Sequence, residues 1–356
     1  DKAPNYLKQG LGWSYHAPCA GHDGIQVALG TVFRPAFDYL FPYYRDLTTC
    51  LAAGVTPEQI LLNGMSKASD VASGGRHMSN HFARHDLYVW NVSSCVANHA
   101  QHAAGLGRAI RSYGMKSLVY CSMGESSTSE GYFYEAVNGA SLGRLPVIFV
   151  IQDNGYGISV PKRQQTANHY ASDNFASFPN LKVIHCDGKD VLDSVRALRE
   201  AAAFAQAGEG CVLVHADCVR IGSHSNSDRH ELYRDEEEIA AARALDPLPR
   251  FRRLLVVRVV VDALMLGLPT ESEIAAAIGQ NVDTDQVRAA RDGIRAELGR
   301  SLDKALSDIW ARTRETGEYR PDPSGTARRS LRYAALSLML FGNPRAGIAA
   351  ATAELE

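Results

Sequence analysis

Glu125 and Asn154 stand one predicted helix and one predicted strand apart, each in a short polar turn that follows an apolar run. A carboxylate and an amide oxygen on neighbouring turns are hard donors, of the kind a hard divalent cation takes in near-octahedral geometry. The backbone carbonyl of Tyr156, flanked by Gly155 and Gly157, would supply a third oxygen. Such a cation completes its shell with phosphate oxygens of a ligand. Backbone N–H groups at a helix opening after Ser126 would add an anion site. Gly, Asn and Asp are also the ordinary turn residues. The same positions therefore also read as turns closing a Rossmann-like unit, and spacing alone leaves both readings open.

The elements that must hold these residues form a βαβ pattern. Ser117 to Met123 reads as a buried strand that ends in the turn Gly124-Glu125-Ser126. Ser127-Thr128-Ser129-Glu130 matches the S-x-x-E capping box at a helix start. That helix runs through Phe133, Ala136, Val137 and Ala140. Gly143 stops it, and Pro146 opens a strand over Val147 to Ile151. Gln152 to Gly157 is a glycine-rich polar turn at that strand's carboxyl end. A further unit follows, with a strand over Leu181 to Ile184, a helix from about Val191 to Ala207 and a strand over Cys211 to His215. The expected fold is α/β, a parallel sheet flanked by helices, with ligands bound at the carboxyl edge of the strands. From about Asp262 onward Ala, Arg, Glu and Leu dominate, with apolar positions at helical spacing, which predicts an all-α segment. Asp246-Pro247-Leu248-Pro249 is a natural break between the two.

Composition narrows the classes. A chain of 356 residues that is 46% hydrophobic and 21% charged buries a sizeable core and is neither disordered nor a disulfide miniprotein. A net charge of -2 gives no global field for nucleic acid or an anionic membrane. Seven cysteines without a CxxC pair are expected to be free thiols in a reducing, cytoplasmic setting, and no signal peptide is read. The most apolar run, Leu254 to Leu268, contains Arg258 and Asp262 and is too short to span a bilayer. His81, His85, His99 and His102 read as surface or hydrogen-bonded core histidines. Glu130 and Glu135 read as capping and packing residues. His230 to Arg234 begins like H-E-x-x-H but ends in Arg, so no zinc peptidase is expected.

The strings Gly124-Glu125, Glu130-Gly131, Glu135 to Asn138, Leu145 to Val150 and Asp153 to Ser159 together resemble the thiamine-diphosphate motif, a "GDG" or "GEG" followed by "NN". The supporting stretches are Ala20 to Asp23, Phe41 to Asp46, Gly74 to Met78, Val92 to Ser94, Gly222 to Asp228 and Tyr233-Arg234. Over about residues 6–257 the chain resembles the alpha subunit of the 2-oxo acid dehydrogenases. The resemblance implies that Glu125, Asn154 and the Tyr156 carbonyl hold magnesium. It further implies that Tyr44 and Arg45 grip the diphosphate, that Ser94 and Val96 lie along the cofactor, and that Gly124 and Ser126 approach through their backbones. His224 matches a loop histidine near the diphosphate and the reacting centre. An imidazole there is expected to titrate near neutral pH and could serve as a proton donor or only as an anchor. Ser93, Asn98 and His99 match a potassium site of some members. The chain departs from the pattern at Glu125 (commonly Asp), Ser126 (glycine), Asp153 (the first Asn) and His77 (Gln). Ser126 is expected to crowd the diphosphate, and Asp153 to add negative charge beside it.

The last third is similar to the helical C-terminal domain of bacterial aminopeptidase N, on Leu266 to Ile274, Gly279 to Asp283, Thr316 to Asp322 and Ala327 to Arg332. The expected organisation is a chimera, with a thiamine-diphosphate-binding domain over 1–257 and a helical segment over 258–356. The resemblance implies oxidative decarboxylation of a 2-oxo acid, branched-chain favoured over pyruvate, with acyl transfer to lipoyl-lysine. It implies thiamine diphosphate and Mg2+ as cofactors. Its partners would be a beta subunit, in a heterotetramer, and the lipoyl domain of the acyltransferase. The alternative is a non-catalytic relic of the fold acting as an interaction module.

Overall fold

The computed structural model describes residues 3–251, 276, 283–314 and 323–355. The chain divides into two compact units, 1–250 and 251–356.

The first unit is built on a five-stranded sheet in the order β1-β2-β3-β7-β6. Its strands are β1 (Tyr39–Phe41), β2 (Val119–Gly124), β3 (Val147–Asp153), β6 (Leu181–Asp187) and β7 (Cys211–Asp217), while β4 (Tyr156–Gly157) and β5 (Val160–Pro161) form a separate small hairpin. All pairings in the large sheet are parallel. Every residue of β2 and β3 is buried, as strands covered on both faces must be. The helices are α1 (Ala3–Lys8), α2 (Asp23–Val32), α3 (Leu47–Ala52), α4 (Pro57–Gly64), α5 (Asn98–Ser112), α6 (Gly131–Leu142), α7 (Val191–Gln206) and α8 (Glu236–Ala244).

Alternation along the strands sends successive side chains to opposite faces. Tyr120, Ile148, Val150, Val212 and Val214 join Ile25 and Leu29 of α2 and Leu198 of α7 in one core cluster. Val119, Cys121, Phe149, Ile151 and Leu213 join Ala103 of α5 and Phe133 and Val137 of α6 in the other. Two layers of helices thus fix the sheet, and the sheet fixes which strand ends lie side by side.

One local expectation fails. Ser127 to Glu130 is no capping box: Glu125–Ser129 is a 3-10 turn, and α6 starts at Gly131 with Glu130 as an N-cap that makes no side-chain cap bond. Thr128 explains this. Its hydroxyl donates to the Glu125 carbonyl at 2.6 Å, and that local bond competes with a regular helix start.

The second unit is helical over Thr284–Ser301, Asp303–Arg312, Pro323–Gly342 and Pro344–Leu355. Leu306, Ile309, Ala335, Leu338 and Met339 form its small core. The apolar run 254–268 and the stretches 266–274, 279–282 and 316–322 lie outside the described residues. Among the described residues no helix is long and apolar enough to cross a membrane.

Candidate active site

Strands β2 and β3 are neighbours in parallel register, Gly124 beside Gln152, so their carboxyl ends deliver Glu125 and Asn154 to one edge. A cleft of about 390 Å³ opens there, lined among others by Tyr44, Arg45, Val96, Glu125, Asn154 and His224. Gly124, Ser126 and Tyr156 also line it. The residues carried over from sequence are therefore brought together, with one exception. Ser94 is exposed and outside the lining, its hydroxyl paired with His81 Nε2 at 3.0 Å.

Glu125 is 2% exposed. Its Oε2 accepts the Asn154 backbone N–H at 3.1 Å, and its Oε1 accepts the Ser126 hydroxyl at 3.2 Å. Burial, and then the nearby Asp153 charge, push its pKa up to about 7 against those two bonds. A buried carboxylate in this state calls for a proton or a cation. Asn154 Oδ1 accepts the Tyr156 N–H at 3.2 Å, and its amide nitrogen lies 3.1 Å from His22 Nε2. His22 is fully buried, and burial followed by the Arg45 charge lowers its pKa to about 3. Its imidazole is neutral and accepts from Asn154. Asn154 is thereby turned so that its carbonyl oxygen and the Glu125 carboxylate belong to one cleft.

Arg45 is wholly buried and anchored from behind. Its Nη1 donates to the Pro18 carbonyl at 2.7 Å and its Nη2 to the His224 carbonyl at 3.2 Å. Its own carbonyl accepts from Gln26, whose amide also donates to Gln152 Oε1 at 2.9 Å. The Gln152 amide donates in turn to the Ser122 hydroxyl at 2.7 Å and to Asp46. This buried chain of amides ties the end of β3 to the main chain of Arg45, and such a network positions firmly only because every member is satisfied.

Two expectations are corrected here. Asp153 does not leave a bare charge beside the cleft: it is ion-paired with Lys162, its Oδ2 meets His215 Nε2 at 2.8 Å, and it is not part of the lining. His224 does not titrate near neutrality. Burial, then the Arg45 and Arg220 cations, lower it to about 4, so it is neutral in this state. Its backbone N–H is held by Asp228 at 2.6 Å. Ser126 lines the cleft and turns its hydroxyl to Glu125.

The remaining positions are occupied otherwise. His77 lies outside the lining, its ring 4.4 Å from that of His81. The Ser93 hydroxyl donates to Asn98 Oδ1 at 3.1 Å, whereas His99 donates to the Ser122 carbonyl of β2 at 2.8 Å. Glu130 is exposed, makes no cap bond and lines the cleft, whereas Glu135 is exposed and accepts from Gln101. His230–Leu232 is a single 3-10 turn. All seven cysteines are free, five of them buried. Among the described residues no three His, Cys, Asp or Glu side chains converge as a metal cluster; the cleft is lined by two carboxylates, buried Glu125 and exposed Glu130, with the Asn154 amide beside Glu125.

Sequence reasoning missed Tyr43, Ile158, Val160 and Gln165 in the lining. Tyr43 was findable, since it precedes Tyr44 and the two hydroxyls meet at 3.3 Å. Gln165 carried no signal; it donates to the Ser126 carbonyl at 2.8 Å from a distant turn.

The comparisons agree with this geometry. The model of the family "Dehydrogenase E1 component" matches residues 1–292, and a domain of unknown function with ARM repeats matches residues 251–356. The chain is 34% identical to the 2-oxoisovalerate dehydrogenase subunit alpha of Bacillus subtilis, over 67% of this chain and 72% of that protein. It is 29% identical to the 3-methyl-2-oxobutanoate dehydrogenase subunit alpha of Mycobacterium tuberculosis, over 80% of each. It is 32% identical to the pyruvate dehydrogenase E1 component subunit alpha of Mycoplasma pneumoniae, over 75% of this chain and 70% of that protein. With a cleft at the carboxyl edge of a parallel sheet and a family match over most of its length, the chain belongs to the dehydrogenase E1 component family.

Proposed function

We propose that this chain is the alpha subunit of a 2-oxo acid dehydrogenase that binds thiamine diphosphate and Mg2+, decarboxylates a branched-chain 2-oxo acid and passes the acyl group to lipoyl-lysine. The observation that carries the reading is that a buried carboxylate, Glu125, and a buried guanidinium, Arg45, line one cleft. The residues fit the cofactor. Glu125, Asn154 Oδ1 and the Tyr156 carbonyl would hold the ion, and Arg45 and Tyr44 the diphosphate, with charge-assisted bonds from the guanidinium. When bound, thiamine diphosphate supplies the nucleophilic carbon and electron sink for decarboxylation. The protein's part is to bind, orient and exclude water. Ser126 and the Asn154 N–H hold Glu125 in place, and His22 sets the Asn154 amide. His224, hydrogen-bonded to Arg45 and edge-on to Tyr44, closes the diphosphate side. A neutral imidazole there accepts a hydrogen bond, and takes up a proton only once an anion beside it raises its affinity for protons.

The branched-chain preference rests on Glu125 and on the names of two of the relatives, and the need for a beta subunit rests on the family resemblance. Calorimetric titration with thiamine diphosphate and Mg2+, followed by turnover of 3-methyl-2-oxobutanoate with and without a matching beta subunit, tests the proposal. Binding by the chain with turnover only in the assembled pair is expected. Failure to bind would leave a non-catalytic interaction module, and full turnover by the isolated chain would remove the partner.

A further inference from the structure

The opposite edge of the same sheet holds a second and larger cavity, of about 640 Å³. Its wall comes from four separate connections, each leading into the amino end of a strand: Arg34 before β1, Met115 to Leu118 before β2, Arg144 and Pro146 before β3, and Gln206 and Gly208 before β7. These four strands are consecutive neighbours, so the connections are forced together. The cavity therefore runs along the amino edge, away from Glu125 and Asn154 at the carboxyl edge.

Its charge is one-sided. Arg34, Arg111, Lys116 and Arg144 line it, and no Asp or Glu does. Arg34 is neutralised by a bidentate pair with Asp38, both contacts at 2.7 Å. Arg111 uses one N–H on the Arg144 carbonyl at 3.0 Å. Among the described residues, no carboxylate pairs with Arg111, Lys116 or Arg144. Basic residues after helices commonly complement the partial negative charge of the last carbonyls. Here those carbonyls are already served by turn N–H groups: Ile110 by Met115, Arg111 by Gly114, Ala140 by Leu145 and Ser141 by Arg144. Arg144 is also an arginine at φ 47°, the left-handed conformation that the residue after a helix usually gives to glycine. A cation is thus kept at the mouth where glycine would be easier.

We propose that this cavity is a binding site for a small molecule bearing two or more phosphate groups, held by Arg111, Lys116 and Arg144. The volume lies in the range of small-molecule sites. Three cations around one concavity match several phosphates better than one, and guanidinium groups bind phosphate oxygens bidentately. Met115 and Pro146 give an apolar wall for the rest of the ligand.

The test is calorimetric titration of the full chain with ATP as probe, without divalent metal, and with orthophosphate in parallel. The comparison protein is the Arg144→Gly/Lys116→Ser double variant, whose thermal midpoint reports that it folds. We expect submillimolar ATP binding that weakens with added salt, falls at least about tenfold in the double variant, and exceeds orthophosphate binding at least about tenfold. Unchanged ATP affinity in the folded double variant would overturn the proposal, because the anion would then sit elsewhere, as at Arg45. Equal affinity for orthophosphate would overturn the polyphosphate class, and no binding at millimolar ATP would overturn the site. Should the double variant fail to fold, Lys116→Ser alone and Arg111→Gln alone carry the same comparison.

Discussion

The two edges of the sheet use charge in opposite ways. At the carboxyl edge four charged groups are buried: Glu125, Arg45, Asp46 and Asp153 are all at most 2% exposed, and each has a hydrogen-bond partner far away in sequence: Asn154, Pro18, Gln152 and His215 respectively. At the amino edge the charges are exposed side chains on short turns and, for Arg111, in the last turn of α5, around an open cavity. Desolvation makes the first edge expensive to disturb and strongly dependent on its partners. Solvent screening makes the second tolerant and salt-sensitive. A buried cluster commits the fold to one geometry, whereas an exposed one can be altered without touching the core.

Substitutions on the two edges should therefore differ in size. The largest effect is expected at Gly21, which has φ 94° and a place for a Cβ only 1.9 Å from the Val219 carbonyl. Gly21→Ala should cost about 3 kcal/mol or more, read as a drop in the urea midpoint, because backbone must move. A loss below about 1 kcal/mol would mean that the carboxyl edge is not tightly packed. Next comes Glu125→Gln. Losing the carboxylate should weaken Mg2+-dependent thiamine diphosphate binding at least about 100-fold, about 2.7 kcal/mol, with unchanged circular dichroism. The fold should not suffer, since a carboxyl whose pKa is already pushed up to about 7 gains little by ionising. Unaltered affinity would remove Glu125 from the ion's shell.

The pH dependence follows from His99, which burial lowers to about 4 despite its bond to the Ser122 carbonyl. The unfolded imidazole, with a pKa near 6.5, takes up its proton first as pH falls. Stability from this group is complete above that value and is lost between about pH 6.5 and 4, a total of roughly 3 kcal/mol. Unfolding midpoints measured from pH 7 to 4.5 should show a shallower slope in His99→Gln than in the parent; parallel slopes would contradict the assignment. At the amino edge effects shrink. Gly114 has φ 66° but nothing within 4 Å of a Cβ, so Gly114→Ala should cost only about 1 kcal/mol, the left-handed penalty itself. A cost equal to that of Gly21→Ala would erase the contrast between the edges. Smallest is Arg144→Gly, which relieves the same penalty and should raise stability by about 0.5 kcal/mol, offset in part by chain entropy. A lowered thermal midpoint would show that the arginine packs in a way its exposure does not reveal.

Legibility in the sequence followed burial. The fully buried β2 and β3 were read nearly to their ends because a strand covered on both faces must be apolar throughout. The helix over Val191–Gln206 was read within a residue, with Asp190 capping it through the Leu192 and Asp193 N–H groups. The 3-10 turn at Glu125–Ser129 was misread because a Ser/Thr run offers the same residues to a cap and to a local carbonyl bond, and only the surrounding packing chooses. The Arg45, Glu125, Asn154 and His224 grouping came from motif order, but the meaning of the departures did not. Asp153 looked like a liability until Lys162 and His215 were found against it.

By itself the sequence determined the α/β class, the carboxyl-edge location of the site and the helical character of the last third, because each depends on local periodicity and on the order of strands and turns. Only the tertiary structure decided which charges are compensated, that His224 is neutral, that Ser126 turns its hydroxyl to Glu125, and that four connections meet in a basic cavity at the far edge. Those properties depend on distances between residues remote in the chain, and on how much water is left around each of them.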